Sequence, residues 1–306
     1  MPDLTSRKWS SAAGGAPAAV PTLGAPPGGL PSTGTAPGGH RGAGFGQAFG
    51  GTERTDNWWA MPLSQAIGLA VLGAYATWAA FQGSHYESGN YLSPFYSPLF
   101  RPSWLPRWIS PALLILWMPL GFRATCYYYR KAYYRAFFAD PAGCAVGEVR
   151  SKGYCGELEF PFILQNLHRY FLYLAAVILA ILWYDVLRAF VFSQPSGRAR
   201  FGIGLGTLAL LFNTSLLSLY TFSCHSLRHL IGGKLDCFSC AAGGGPRHKA
   251  WSIVSVLNEH HMAWAWWSLF AVCFADFYVR MCSMGAINDP VFYPFELFNT
   301  AGGTGL

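Results

Sequence analysis

Long runs without a formal charge constrain this chain more than any other feature. Met61–Gln82 carries no charge, and Phe201–Leu230 carries none until Arg228. Crossing the hydrocarbon core of a bilayer takes about 20 mostly apolar residues in a helix. Three further runs meet that length: Pro111–Tyr129, interrupted by Arg123, then Phe162–Phe192 and Trp251–Met284. Only 11% of the residues are charged and 17% are aromatic, where a soluble chain is nearer about a quarter charged. The expected fold is an all-α membrane protein with five transmembrane helices in a bundle. Its spans are about 61–82, 111–129, 162–192, 201–230 and 251–284, inside a membrane domain of residues 57–290.

The ends differ from this domain. Residues 1–56 are rich in Gly, Ala and Pro and bury too little apolar surface to offset ordering, so a disordered tail is expected there. They lack the apolar core of a signal peptide. Residues 291–306 are expected as a C-terminal tail. No internal repeat is visible.

Basic residues orient the spans. The loops 130–160 and 228–250 hold Arg130, Lys131, Arg135, Arg150, Lys152, Arg228, Lys234, Arg247 and Lys249. The opposite loops hold Arg101, Arg107, Arg188, Arg198 and Arg200. The excess places the first pair in the cytoplasm. The expected location is the plasma membrane, multi-pass, with the N-terminus cytoplasmic and the C-terminus outside. Lipid and topology account for the basic loops, with no role for nucleic acid.

In that orientation His168, His225, His229, His260 and His261 all fall in the inner half of the membrane or at its edge. Ionisable residues there are functional suspects. Thr214, Ser218, Thr221, His225 and His229 follow helical spacing and share a face. Asn258 and His261 lie three apart, with Ala265 four further on. Neutral imidazoles facing each other across a bundle hold haem iron from both sides. The axial ligands are expected to be His225 or His229 opposite His168 or His261, with His225 and His261 preferred. Arg169 and Arg228 stand beside histidines, where a guanidinium binds haem propionates. The plainer alternative is a set of interfacial, hydrogen-bonded histidines.

The segments "QNLHRYFLYLA" (Gln165–Ala175), "CHSLRHLIGGKLDCFS" (Cys224–Ser239) and "LNEHHMAWAWWSLFAVCFADFYVRM" (Leu257–Met281) resemble the membrane subunit of actinobacterial-type succinate dehydrogenase. "CAVGEVRSKGYCGELEFPFILQNLHRY" (Cys144–Tyr170) resembles the approach to its third span. The resemblance implies a cytochrome b anchor with one or two b haems and a quinone as substrate. It also implies docking of a flavoprotein subunit and an iron–sulfur subunit on the cytoplasmic face. In the wider anchor family the haem histidine lies seven residues before the last one, and Phe222 stands at that position here. The chain would then be the electron-transfer subunit of the complex, with no succinate-oxidising site of its own. Quinone is expected near Arg169, Tyr170, Arg228, His229 and Asn258, beside His168.

Other signals are weaker. Cys144, Cys155, Cys237 and Cys240 share the inner loops and are expected as reduced, unligated thiols. Asp276–Arg280 and Asp185–Arg188 are spaced as structural ion pairs, and Gly202 and Gly206 as a site of close helix approach. Two rival classes stay open: a membrane di-iron desaturase or hydroxylase, and a non-redox scaffold or transporter. The chain has no HxxHH box, which argues against the first.

Overall fold

A computed structural model describes residues 49–139, 141–147, 158, 160, 162–193, 198–233 and 235–299. These belong to the unit Phe45–Leu306, and the other unit, Met1–Gly44, lies outside them. The expected tail therefore lies largely outside the described residues. Its last part is tied down: Gly50 donates to the Gly147 carbonyl, Thr52 to Ala145 and Arg54 to Cys144.

The element order is α1 (Ala60–Gln82), β1 (Glu87–Ser88), β2 (Tyr91–Leu92), α2 (Trp117–Ala124), α3 (Tyr127–Phe138), α4 (His168–Ala189), β3 (Val191–Ser193), β4 (Arg198–Gly204), α5 (Leu205–Phe222), α6 (His225–Gly232), α7 (Gly244–Glu259), α8 (His261–Ser283) and β5 (Val291–Asn299). Among the described residues four segments are long and apolar enough to cross a membrane: Ala60–Gln82, Phe162–Ala189, Leu205–Phe222 and His261–Ser283. Packing runs α5 on α8 and α4, α2 on α4, and α1 on α3. Ile67, Val71, Val177, Phe212, Phe270 and Phe274 are exposed on these helices. Such apolar faces suit lipid, because a helix satisfies its own backbone groups.

Three expected spans are broken. The segment expected over 111–129 is a 3₁₀ turn (Pro111–Leu114), then α2, then α3, interrupted at Thr125–Cys126. The segment expected over 201–230 begins as strand β4, and its helix stops at Ser223 before α6 restarts. The segment expected over 251–284 is split at His260 into α7 and α8. The breaks at Thr125–Cys126, Ser223 and His260 contain neither Pro nor Gly, so no residue type announces them.

The all-α expectation also needs correction. Strands β3, β4 and β5 form an antiparallel sheet in that order, so the described part of the expected C-terminal tail is strand β5. Gly202 and Gly206 serve ring packing rather than helix contact. A Cβ on Gly202 would stand 2.6 Å from the Phe192 ring, and one on Gly206 would stand 2.5 Å from the Tyr91 ring.

The end of the bundle where α1 finishes is held by a buried charge network. Arg280 Nε donates to Asp276 at 2.7 Å, and its two other nitrogens donate to the Ala79 and Ser84 carbonyls, both at 2.9 Å. The Asp276 carboxylate also accepts from Tyr75, at 2.6 Å, and from Ser93. Asp276 is 0% exposed and Arg280 1%, so this expected ion pair is structural. Asp185 behaves differently, accepting from the Ser97 hydroxyl.

Candidate functional site

The two broken helices meet where α4 and α8 begin. At the first break Thr125 ends α2, and Cys126, in extended backbone at φ −65°, ψ 129°, starts α3. At the second, Ser223 ends α5 and Cys224, at φ −65°, ψ 137°, starts α6. Each break thus presents a hydroxyl followed by a thiol, and its chain direction changes without leaving the bundle.

Two histidines cross-link the breaks. His168, the first residue of α4, lies with Nδ1 3.1 Å from the Thr125 hydroxyl and Nε2 3.0 Å from Cys224 Sγ. His261, the first residue of α8, lies with Nδ1 2.7 Å from the Ser223 hydroxyl and Nε2 3.4 Å from Cys126 Sγ. Each imidazole therefore takes its hydroxyl from one break and its thiol from the other. The ring faces are covered as well. His168 stacks on Phe122 at 4.6 Å and 5°, and His261 on Tyr220 at 5.1 Å and 22°. Fixing one ring nitrogen by a hydroxyl and aiming the other is how proteins orient imidazole ligands.

Phe122, Cys126, Tyr129, Leu172, Tyr220, Cys224 and Ala265 form one buried cluster at this place. Within it the Tyr220 hydroxyl has no oxygen or nitrogen partner among the described residues and is left with the Cys126 thiol. An orphaned buried donor is costly unless something else accepts from it. Arg123, which interrupts the second expected span, is satisfied internally. It donates to Tyr129, to the Ala265 carbonyl at 3.2 Å and to Ser268 at 3.0 Å, and lies 4.7 Å from the Tyr220 ring centre.

The other expected ligands lie on α6 and at the junction of α7 and α8. His225 and His229 lie on α6, exposed, with their Nε2 atoms 3.0 Å apart. Partial burial first, then His229 and Arg228, hold the His225 imidazole below its usual pKa. His260 is exposed at the junction of α7 and α8. Among the expected ligands, His168 and His261 are the pair that the two breaks hold through hydroxyls and thiols. Arg228 lies 4.8 Å over the Trp251 ring, Asn258 braces the second break by donating to the Ser223 carbonyl at 2.7 Å, and Arg169 and Tyr170 are exposed. Cys126 and Cys224 escaped the sequence reading. Their signal was a hydroxyl residue followed by Cys, repeated as Thr125-Cys126 and Ser223-Cys224.

The inner-loop thiols need one correction. Cys237 and Cys240 are joined as a disulfide with Cα atoms 5.4 Å apart, a separation that two intervening residues readily give. Cys144 is a free, exposed thiol, and Cys155 lies outside the described residues.

The donor set decides which cofactor suits the cluster. A haem does not fit. The inward nitrogens of His168 and His261 end on thiols. A dinuclear iron–sulfur group fits better, because two histidines and two cysteines can serve it as two ligands per iron.

A family model described as actinobacterial succinate dehydrogenase subunit SdhC matches residues 60–285. The chain is also similar to a solved structure of the Mycobacterium smegmatis Sdh1 complex in the apo form. The identity is 45% and the TM-score 0.69, over 78% of this chain and 92% of that one. A search of curated proteins finds no match.

Proposed function

The chain belongs to the actinobacterial succinate dehydrogenase SdhC family, and from that premise we propose that this membrane subunit passes electrons from succinate-oxidising partners to a quinone through a group held by His168, His261, Cys126 and Cys224. The crosswise contact of two histidines with two cysteines is the observation that carries this reading. The group would supply one-electron iron chemistry. The chain's own residues do the rest: Thr125 and Ser223 fix the imidazoles, Phe122 and Tyr220 cover their faces, and the buried cluster excludes water. The Tyr220 hydroxyl interacts with the Cys126 sulfur, and hydrogen bonds to sulfur tune iron–sulfur centres.

In this reading α2 and α3 together make the fifth crossing. Ser110, just before this segment, donates to the Tyr96 hydroxyl, which in turn accepts from the Gly83 backbone at the end of α1. The far end of α2 reaches His168. The histidine end faces the cytoplasm, where the flavoprotein and iron–sulfur subunits dock on α3 and the loop that follows it. The quinone takes the apolar cavity of about 300 Å³ lined by Ala76, Phe81, Phe95, Leu116, Leu182 and Arg123. Arg123 lines that cavity and touches Tyr220, which touches His261.

Iron and acid-labile sulfide in the purified complex, together with spectra of its reduced form, test the assignment. Iron with equimolar sulfide beyond the content of the soluble subunits, lost in His261→Ala, is expected. A sharp reduced haem b band that His168→Ala and His261→Ala abolish would overturn it in favour of haem.

A further inference from the structure

We propose that His225 and His229 form a second metal site, for a divalent transition-metal ion such as Zn²⁺, Cu²⁺ or Ni²⁺, on the open face of α6. The two residues are one helical turn apart, so their side chains rise from the same face. Their Nε2 atoms stand 3.0 Å apart, with ring planes at 79°. Ligands about 2.0–2.1 Å from a metal stand about 2.9–3.4 Å apart between square-planar and tetrahedral angles. The pair already has the spacing of adjacent ligands in one coordination shell.

The surroundings leave room for the remaining ligands. A cavity of about 440 Å³ beside the pair is lined by His225, Arg228, His229, Gly232, Gly233 and Trp251. Water molecules or a small anion complete the shell from that side. Arg228 is the nearby positive charge, and its guanidinium is turned over the Trp251 ring at 4.8 Å. The cavity lining holds no carboxylate among the described residues, which disfavours hard ions such as Mg²⁺ and Ca²⁺ that need oxygen ligands. It leaves the borderline ions that imidazole suits. Both histidines are exposed, whereas His168 and His261 are partly buried among their hydroxyl and thiol partners. The two sites are therefore separable. A bound ion would staple one turn of α6, the helix that starts at Cys224.

The test uses the purified complex carrying full-length chain, stripped of loosely bound metal and kept oxidised so that Cys237 and Cys240 stay joined. Zn²⁺ binding is followed by equilibrium dialysis, and bound Cu²⁺ by pulsed electron paramagnetic resonance. Wild type should bind one extra equivalent and show two equatorial imidazoles. His225→Ala and His229→Ala should each weaken binding by on the order of a hundredfold, the loss expected when one of two linked donors goes, and should show one imidazole or none. His248→Ala should change nothing. Unaltered binding in both single variants would overturn the proposal, as would its loss in Cys237→Ser/Cys240→Ser instead, or binding by the isolated chain but not by the complex.

Discussion

Two polar clusters stand at opposite ends of α8 and meet the demands of an apolar bundle in different ways. Around Asp276 and Arg280 the groups are charged, and their hydrogen bonds close on the protein: a carboxylate with Tyr75, Ser93 and Arg280, and a guanidinium with the carboxylate and two carbonyls. Around His168 and His261 the partners are hydroxyls and thiols, and the central Tyr220 hydroxyl has only the Cys126 thiol beside it. A closed network ties α1 to α8 and has nothing left to offer a ligand. An unclosed one, built from metal-binding residue types, keeps its chemistry available.

The sharpest way to break that contrast is to remove a thiol. Cys126→Ser and Cys224→Ser should each abolish the iron assigned to the chain and reduce quinone turnover to background, while unfolding shifts by less than about 1 kcal/mol. Iron analysis and turnover read the first effect, and denaturation in micelles reads the second. A large stability loss with iron retained would make the two clusters alike. Next comes Asp276→Ala, which strands a buried guanidinium and should cost about 3–5 kcal/mol, with iron unchanged in whatever remains folded. Asp276→Leu/Arg280→Leu should recover much of that loss, because charge and partner leave together. If the single change proves harmless, the charged network is not the staple described here.

Arg123 lies between the two clusters. Arg123→Gln should raise KM for quinone roughly tenfold, equivalent to about 1.4 kcal/mol, with succinate oxidation by a soluble acceptor unaffected. An unchanged KM would move the quinone out of the cavity. The smallest effect is expected from Ser223→Ala, which frees His261 Nδ1 and should cost about 1 kcal/mol while most of the iron stays. Iron loss as complete as in Cys224→Ser would make the hydroxyl a ligand rather than an orienting group.

The four long apolar helices were legible because hydropathy over some twenty residues is a strong signal. His168 and His261 were legible as ionisable residues at the ends of such runs. Their pairing was less so, because the stripe from Thr214 to His229 reads as one continuous face, and the stop at Ser223 carries no Pro or Gly to announce it. Cys126 and Cys224 were invisible for a related reason: a single cysteine in an apolar run reads as a small core residue. The sheet was missed because Phe201–Gly204 looks like the start of a span, and its partner strand β5 lies nearly ninety residues away in sequence.

The helix breaks also act through electrostatics. At Cys126 and Cys224 the backbone is extended, so α3 and α6 each begin afresh with unpaired N–H groups. Cys224 Sγ already accepts one of them, from Ser226 at 3.3 Å. Each such terminus carries roughly half a positive charge, and both open onto the same few side chains. The place where this chain gathers its histidines and thiols is therefore bathed in a positive field from the backbone, to which the Arg123 guanidinium adds. A carrier seated there would accept an electron more readily than the same carrier in uniform hydrocarbon, without a single lysine or arginine needing to enter its ligand sphere.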